Sequence, residues 1–172
     1  VMVMRGLDGA RWFVVLAMPA ILLGQDAGRG VARLSLMGGE VSIRRGDSGD
    51  QIAAALNAPL VVTDRVYTGP SSRAEIQFDY ANFLRLASNA EVRLTELVNH
   101  RYQIQIAGGL ATFTVPRDSE AGVEISTPAV AVRPIKRGSY RILVGPDGET
   151  EIIVRAGEAE IFTPAGSERL RS

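Results

Sequence analysis

Apolar and polar side chains alternate along most of the chain after residue 30. The alternation is clear in residues 73–78, where Ala74, Ile76 and Phe78 share one side, and again in Tyr102–Ile106. Successive side chains of a strand point to opposite faces, so a period of two is typical of strands with one buried face. With glycine, proline and Asp-Gly between the runs, the pattern predicts an all-β fold. It would be a short, irregular β-solenoid-like stack or a sandwich of antiparallel strands.

Two segments depart from this alternation. Gln51–Asn57 is the one helix candidate after the N-terminal region, and it offers two turns at most. Ala129–Val132 is apolar on both faces, which predicts a buried central strand. The chain is expected to leave that strand before Arg133, because Pro134 has no N–H to donate to a neighbouring strand.

The clearest hairpin joins Ser139–Val144 to Thr150–Arg155 through a Gly-Pro-Asp-Gly turn. Pro146 suits the first central position of a type I turn, since its ring holds φ near −65°. Gly148 is then expected in the left-handed conformation of a G1 bulge.

Four short units each begin with glycine and then alternate; they start at Gly39, Gly109, Gly138 and Gly157. Their spacing is irregular. They are either corners of one stack or the ordinary glycines that precede strands in hairpin proteins. Gly138 is expected to be a structural corner, where a bulky side chain would be penalised if φ is positive.

The N-terminal 27 residues have the three parts of a secretory signal. Arg5 and Arg11 precede the uncharged run Trp12–Leu23, and small and polar residues follow at 24–27. The run is shorter than the roughly 18–20 apolar residues of a spanning helix. Residues 1–27 are therefore predicted to be a signal peptide or an uncleaved anchor helix. The expected location is periplasmic or otherwise extracytoplasmic, with inner-membrane anchoring if the segment stays attached.

Composition narrows the function classes. The 172 residues carry 19 basic and 19 acidic side chains, and there is no cysteine. A zero net charge argues against a nucleic-acid binder and against membrane contact other than through the N-terminal segment. The absence of cysteine excludes disulfides, a thiol nucleophile and thiolate metal sites.

No residue stands out as catalytic, cofactor-binding or metal-binding. His100, the single histidine, lies in a polar link without a local nucleophile or orienting partner. Residues 46–51 lack the ligand pattern of a calcium loop. Glu158 and Glu160, spaced two apart, fit the solvent face of a strand. The protein is accordingly predicted not to be an enzyme, with a hydrolase as the less favoured reading.

Seven blocks in order resemble the FecR domain family, and the resemblance covers residues 31–171. The blocks are residues 39–43, 60–69, 73–76, 83–87, 104–115, 125–132 and 157–161. Three features depart from the family pattern. Thr63 stands where the family usually has glycine, Gly138-Ser139-Tyr140 replaces Gly-Thr-x-Phe, and residues 133–137 replace a tighter turn.

The resemblance implies an extracytoplasmic all-β sensing or binding module. The family's best-known members hold a sigma factor through a cytoplasmic N-terminal domain, and the eleven residues before the apolar run are too few for one. The expected function is therefore non-catalytic binding or sensing in envelope signalling or scaffolding. The alternative is a structural segment of a larger secreted protein or assembly.

One basic cluster offers candidate partner-binding residues: Arg133, Lys136, Arg137 and Arg141 fall within nine residues. Such a patch would bind another envelope protein or an acidic ligand. The competing interpretation is edge protection, because charged side chains and proline discourage strand pairing between molecules.

Overall fold

The computed structural model describes residues 30–172, and its strands run from Ala32 to Arg171. This part of the chain contains no helix, and so none long and apolar enough to cross a membrane. The all-β prediction is confirmed for these residues. The predicted signal or anchor segment, residues 1–27, lies outside the described range.

Fifteen strands form in residues 30–172. They are β1 (Ala32–Gly38), β2 (Val41–Arg44), β3 (Gln51–Ala53), β4 (Pro59–Leu60), β5 (Arg65–Thr68), β6 (Arg73–Gln77), β7 (Phe83–Leu86), β8 (Glu91–Val98), β9 (Arg101–Val115), β10 (Gly122–Ser126), β11 (Ala131–Pro134), β12 (Gly138–Val144), β13 (Thr150–Ala156), β14 (Glu158–Thr163) and β15 (Gly166–Arg171).

The strands form an open mixed sheet that divides at β9 into two parts. Sheet I has the order β3-β2-β5-β8-β9-β10-β11-β14-β15, and sheet II has the order β4-β1-β6-β7-β9-β12-β13. Strands β9 and β10 pair in parallel, unlike the antiparallel stack that was predicted, and every other pairing among the described strands is antiparallel.

A bend in β9 makes the parallel pair possible. Its first half pairs with β8 and β10, and from Gly109 onward it pairs with β12 and β7. A straight strand of this length would separate Arg101 from Val115 by about 46 Å, at ~3.3 Å per residue. Because Gly122 pairs with Arg101, the connection from Val115 to Gly122 would have to cover about the same distance. It can span only about 25 Å, so β9 cannot be straight. Gly109 has φ +81°, and a Cβ there would lie 2.5 Å from the carbonyl oxygen of Asn89.

Both sheets bury their inward faces in one hydrophobic core. Three aromatic rings in this core connect sheet I with sheet II. Phe78, next to β6, lies 5.3 Å from the ring of Tyr102 in sheet I and 6.2 Å from that of Phe113 in sheet II. The alternation predicted for residues 73–78 and 102–106 is confirmed, since Ala74, Ile76 and the apolar side chains of 102–106 are all buried.

The helix predicted over Gln51–Asn57 is wrong. Gln51–Ala53 forms β3, with Ile52 opposite Ile43 of β2, and a turn follows. Two turns of isolated helix have too few hydrogen bonds to offset nucleation, whereas pairing with β2 satisfies the same backbone groups.

The prediction for Ala129–Val132 is half right. Strand β11 is central, between β10 and β14, but it begins only at Ala131, and Val132 is the one fully buried residue of the four. Residues 127–130 form a tight turn instead. Thr127 stabilises it by accepting a hydrogen bond from the N–H of Val130 on its hydroxyl, at 3.1 Å.

The predicted β12–β13 hairpin is confirmed, and Gly148 has φ +84°. Gly138 begins β12, and its φ is not positive. It is constrained by close approach: a Cβ at Gly138 would lie 2.1 Å from the carbonyl oxygen of Ala156. Gly157 does adopt a positive φ, of +93°.

Candidate binding site

The β11–β12 connection is held against the sheet by its backbone. Ile135 and Lys136 donate their N–H groups to the carbonyl oxygen of Glu158, at 2.8 and 3.4 Å. The buried hydroxyl of Tyr140 donates to the carbonyl oxygen of Lys136 and lies 3.0 Å from that of Glu158. Burial raises the pKa of Tyr140, so the hydroxyl stays protonated and remains a donor. Two of the departures from the FecR pattern, Tyr140 and residues 133–137, are therefore in contact.

Strand β11 continues through Arg133 and Pro134, although the chain was expected to leave the sheet before Arg133. Arg133 lies opposite Glu160, and Pro134 lies opposite Ala159. Proline is tolerated because Pro134 lies past the end of the β10–β11 pairing, which stops at Val132, so that ladder does not need an N–H at Pro134. Arg133 is tolerated because its side chain is exposed on the outer face of sheet I.

The side chain of Arg133 already contacts neighbouring residues of sheet I. One terminal nitrogen lies 3.1 Å from Glu124 and the other 3.9 Å from Glu160. Its guanidinium carbon also lies 4.7 Å from the centre of the Phe162 ring. A partner would have to displace these contacts to use Arg133.

Lys136 and Arg137 are the two predicted residues that the structure brings together. Both are exposed, and both line one cavity, which opens between the β9–β10 and β11–β12 connections. Arg141 lies elsewhere, on the outer face of sheet II, with Thr112 and Ile153 as its cross-strand neighbours. The four predicted residues therefore do not form a single patch.

Two arginines that the sequence analysis missed lie beside Lys136. Arg169 and Arg171 of β15 have terminal nitrogens 3.8 and 3.5 Å from one carboxylate oxygen of Glu158, and Lys136 Nζ lies 2.9 Å from the other. The salt bridge with Lys136, with added attraction from Arg171 and Arg169, lowers the pKa of Glu158. We call Lys136, Arg137, Arg169 and Arg171 the basic rim.

The expectation that Glu158 lies on a solvated face is wrong. Its side chain is only 6% exposed, because three cationic side chains cover it. The signal for this arrangement was present in the sequence. Glu158 and Glu160 precede a Thr-Pro-Ala-Gly turn, and Arg169 and Arg171 follow it with the same spacing. A hairpin places Glu158 opposite Arg171 and Glu160 opposite Arg169.

A cavity of about 410 Å³ opens beside the basic rim, between the β9–β10 and β11–β12 connections. We call it the connection cavity. It is lined by Asn82, Val115, Asp118, Ser119, Ala121, Val123, Pro134, Ile135, Lys136 and Arg137. Its walls combine apolar surface with the cationic groups of Lys136 and Arg137, the carboxylate of Asp118 and several neutral hydrogen-bonding groups.

Asn82 lines this cavity and has a side-chain acceptor without a partner in residues 30–172. The residue is 1% exposed, and its amide nitrogen donates to the carboxylate of Asp79, at 2.8 and 3.0 Å, and to the hydroxyl of Ser119, at 2.8 Å. A carboxylate only accepts, so the amide orientation is determined. The Oδ1 atom of Asn82 is buried and has no hydrogen-bond partner in residues 30–172. An unpaired buried acceptor is costly.

The single histidine and the acidic side chains of residues 30–172 do not assemble into a metal site. His100 lies in the exposed β8–β9 turn, with φ +61°. Residues 30–172 hold no group of three or more His, Cys, Asp or Glu side chains placed to bind a metal ion. The lining of the connection cavity offers charged, apolar and hydrogen-bonding groups to a bound molecule.

Comparison with known proteins agrees with the fold. The model of the family described as "FecR protein" matches residues 64–160, more than half of the chain. The chain belongs to the FecR family. The matched region is shorter than the predicted domain of residues 31–171, and it includes the connection cavity but not β15. A comparison with the curated proteins finds no match.

Two crystal structures are similar in fold. Both are of a protein from Parabacteroides distasonis ATCC 8503 described as an anti-sigma factor, with 20% and 19% sequence identity and a TM-score of 0.54 in each case. The match covers 62% of this chain and 50% of that one. This chain therefore spans about half the length of the solved relatives, and identity at this level shows a common fold.

Thr63, which stands where the FecR family usually has glycine, has a backbone conformation that favours glycine. Thr63 has φ +77°, a left-handed conformation that favours glycine. The next residue, Asp64, is fully buried. It accepts hydrogen bonds from Arg45 at 2.7 Å, from the N–H of Val61 at 3.0 Å and from the N–H of Gly46 at 3.1 Å. Thr63 therefore carries backbone strain at the turn that positions Asp64.

Proposed function

We propose that this FecR domain is a non-catalytic, extracytoplasmic binding and sensing module in envelope signalling or scaffolding. Its partner is another envelope protein, which presents an acidic segment to the basic rim and the connection cavity. Membership of the FecR family supports the signalling role. The export signal predicted in residues 1–27 supports the location.

The observation that carries the proposal is the surplus of positive charge around Glu158. Lys136, Arg169 and Arg171 share this one carboxylate, while Arg137 has no ion pair with an acidic side chain of residues 30–172. An acidic side chain of the partner would neutralise part of this charge.

Site-specific crosslinking in intact cells tests the surface. A photoreactive residue at position 137 should capture one defined protein, and one at position 141 should not, because Arg141 lies on the outer face of sheet II. Arg137→Glu should abolish the capture from a photoreactive residue placed nearby at Ile135, whereas Arg141→Glu should leave it intact. Equal capture at 137 and 141, or no capture at 137, would contradict the proposal.

Location is tested separately. Residues 1–30 are fused to a reporter enzyme that is active only outside the cytoplasm, and Arg5 and Arg11 are replaced by Glu in the control fusion. Activity in the first fusion and its loss in the second support export. A well-expressed but inactive first fusion would refute the extracytoplasmic location.

A further inference from the structure

Three arginines lie side by side on the outer face of sheet I. Arg44 of β2 is directly opposite Arg65 of β5, and Arg65 is directly opposite Arg93 of β8. Directly opposed residues have Cβ atoms about 5 Å apart, and like charges in these positions destabilise a sheet. An arrangement that places three guanidinium groups in one row needs compensating negative charge.

The protein supplies only part of that charge. Arg65 forms a salt bridge with Glu91 at 2.9 Å. Arg45, which follows Arg44 in the chain, forms one with the buried Asp64 at 2.7 Å. Hydrogen bonds with Tyr67 and Glu91 raise the pKa of Arg65, which is charged at any physiological pH. Arg44 and Arg93 have no ion pair with any carboxylate of residues 30–172. Two uncompensated positive charges therefore remain.

The row lines a cavity of about 230 Å³. Arg45 lines it together with the three arginines of the row. The other lining residues are Gly46, Gly49 and Thr63. The Nε atom of Arg93 is buried and has no hydrogen-bond partner in residues 30–172. Leaving a charged donor buried and unpaired is unfavourable. Since water takes about 30 Å³ in the liquid, the cavity has room for a tetrahedral oxyanion and the group attached to it.

We propose that Arg44, Arg65 and Arg93 form a binding site for a phosphate monoester. Two uncompensated charges match a dianion, and guanidinium groups recognise tetrahedral oxyanions through paired N–H donors. Arg44 and Arg93 bind the phosphate oxygens directly. Arg65 lies between them and is held in place by its salt bridge with Glu91. This site is independent of the basic rim, because five strands, β8 to β11 with β5, separate β2 from β14 in sheet I.

Binding of inorganic phosphate to the full chain tests the site. A Kd of about 1 mM is expected for two charge-assisted contacts on a partly exposed surface. At ten times the Kd, the melting temperature should rise by roughly 3–6 °C relative to sodium chloride of equal ionic strength. The double variant Arg44→Gln/Arg93→Gln should bind phosphate at least tenfold more weakly and lose this rise.

Two further variants make the result decisive. Arg44→Gln alone changes an exposed side chain, so it should fold normally and still weaken binding. Arg155→Gln, on an exposed strand position of sheet II, should leave the response unchanged. Absence of saturable phosphate binding, or an equal response in wild type and the double variant, would overturn the proposal. The arginine stems would then serve only to cover the sheet.

Vesicles distinguish a lipid headgroup from a soluble phosphate compound. Recruitment to vesicles containing phosphatidic acid, but not to vesicles of phosphatidylcholine alone, would assign the site to a membrane lipid if it is lost in Arg44→Gln/Arg93→Gln. Binding of inorganic phosphate without such recruitment would assign it to a soluble phosphate monoester. Failure of both measurements would overturn the site without affecting the crosslinking result at position 137.

Discussion

Replacing Thr63 by glycine should stabilise this protein. Thr63 is held at φ +77° because its N–H donates to the carbonyl oxygen of Leu94, at 2.8 Å, while the next residue turns inward. The carboxylate of that residue, Asp64, is fully buried and accepts hydrogen bonds from three donors. These contacts keep a β-branched residue in a backbone region that it normally avoids.

The expected gain follows from two opposing terms. A non-glycine residue in the left-handed region costs roughly 1–3 kcal/mol, and glycine removes that strain. Glycine also makes the unfolded chain more flexible, which costs about 0.4–1 kcal/mol. The side chain of Thr63 is exposed, so its removal sacrifices little burial. The net stabilisation should be about 1 kcal/mol, or roughly 2–4 °C in Tm.

Urea unfolding of a series at position 63 measures this effect. The free energy of unfolding should rise in the order threonine, alanine, asparagine, glycine, because alanine keeps a Cβ and asparagine tolerates the left-handed region better than other residues do. The dependence on urea concentration should not change, since the folded surface is the same. A glycine variant no more stable than the alanine variant would refute the reasoning, because strain at φ would then not be the source of the difference.

Three other predictions concern residues around the β11–β12 connection. Gly138→Ala should destabilise by about 1–3 kcal/mol in thermal unfolding, because its Cβ would overlap a backbone carbonyl oxygen, whereas Gly108→Ala, which has open space, should change stability little; equal effects would contradict the close-approach argument. The lowered pKa of Glu158 means that its carboxylate stabilises the fold above the unfolded pKa of about 4.3 and loses that effect as pH falls through the folded value. Glu158→Gln should therefore flatten the fall in Tm between pH 5 and 3, and an unchanged slope would be evidence against the salt bridges. Tyr140→Phe should cost about 1–2 kcal/mol and speed hydrogen exchange at the N–H of Lys136, and unaltered exchange would show that the hydroxyl does not hold the connection.

The candidate site shows where sequence reasoning stops. Lys136 and Arg137 could be predicted because they are adjacent in the chain, and they do share one cavity. Arg133 and Arg141 are only three and four residues from this pair, but they lie on different sheets, since the chain crosses from β11 to β12 between them. Arg171 joins the site because the β14–β15 hairpin returns it to Glu158. The orphaned acceptor of Asn82 has no sequence signal, because its environment comes from distant connections.

The sequence by itself determined the local features of this protein. A period of two specified the strands, and the turn chemistry of Gly145–Gly148 specified the β12–β13 hairpin, because both depend on interactions between residues a few positions apart. Tertiary structure alone decided the bend in β9, the parallel β9–β10 pair and the row formed by Arg44, Arg65 and Arg93. Strand order and register depend on how the inward faces of both sheets pack in one core. Period-two alternation sets which face of a strand is buried, but it does not set which strand lies beside it.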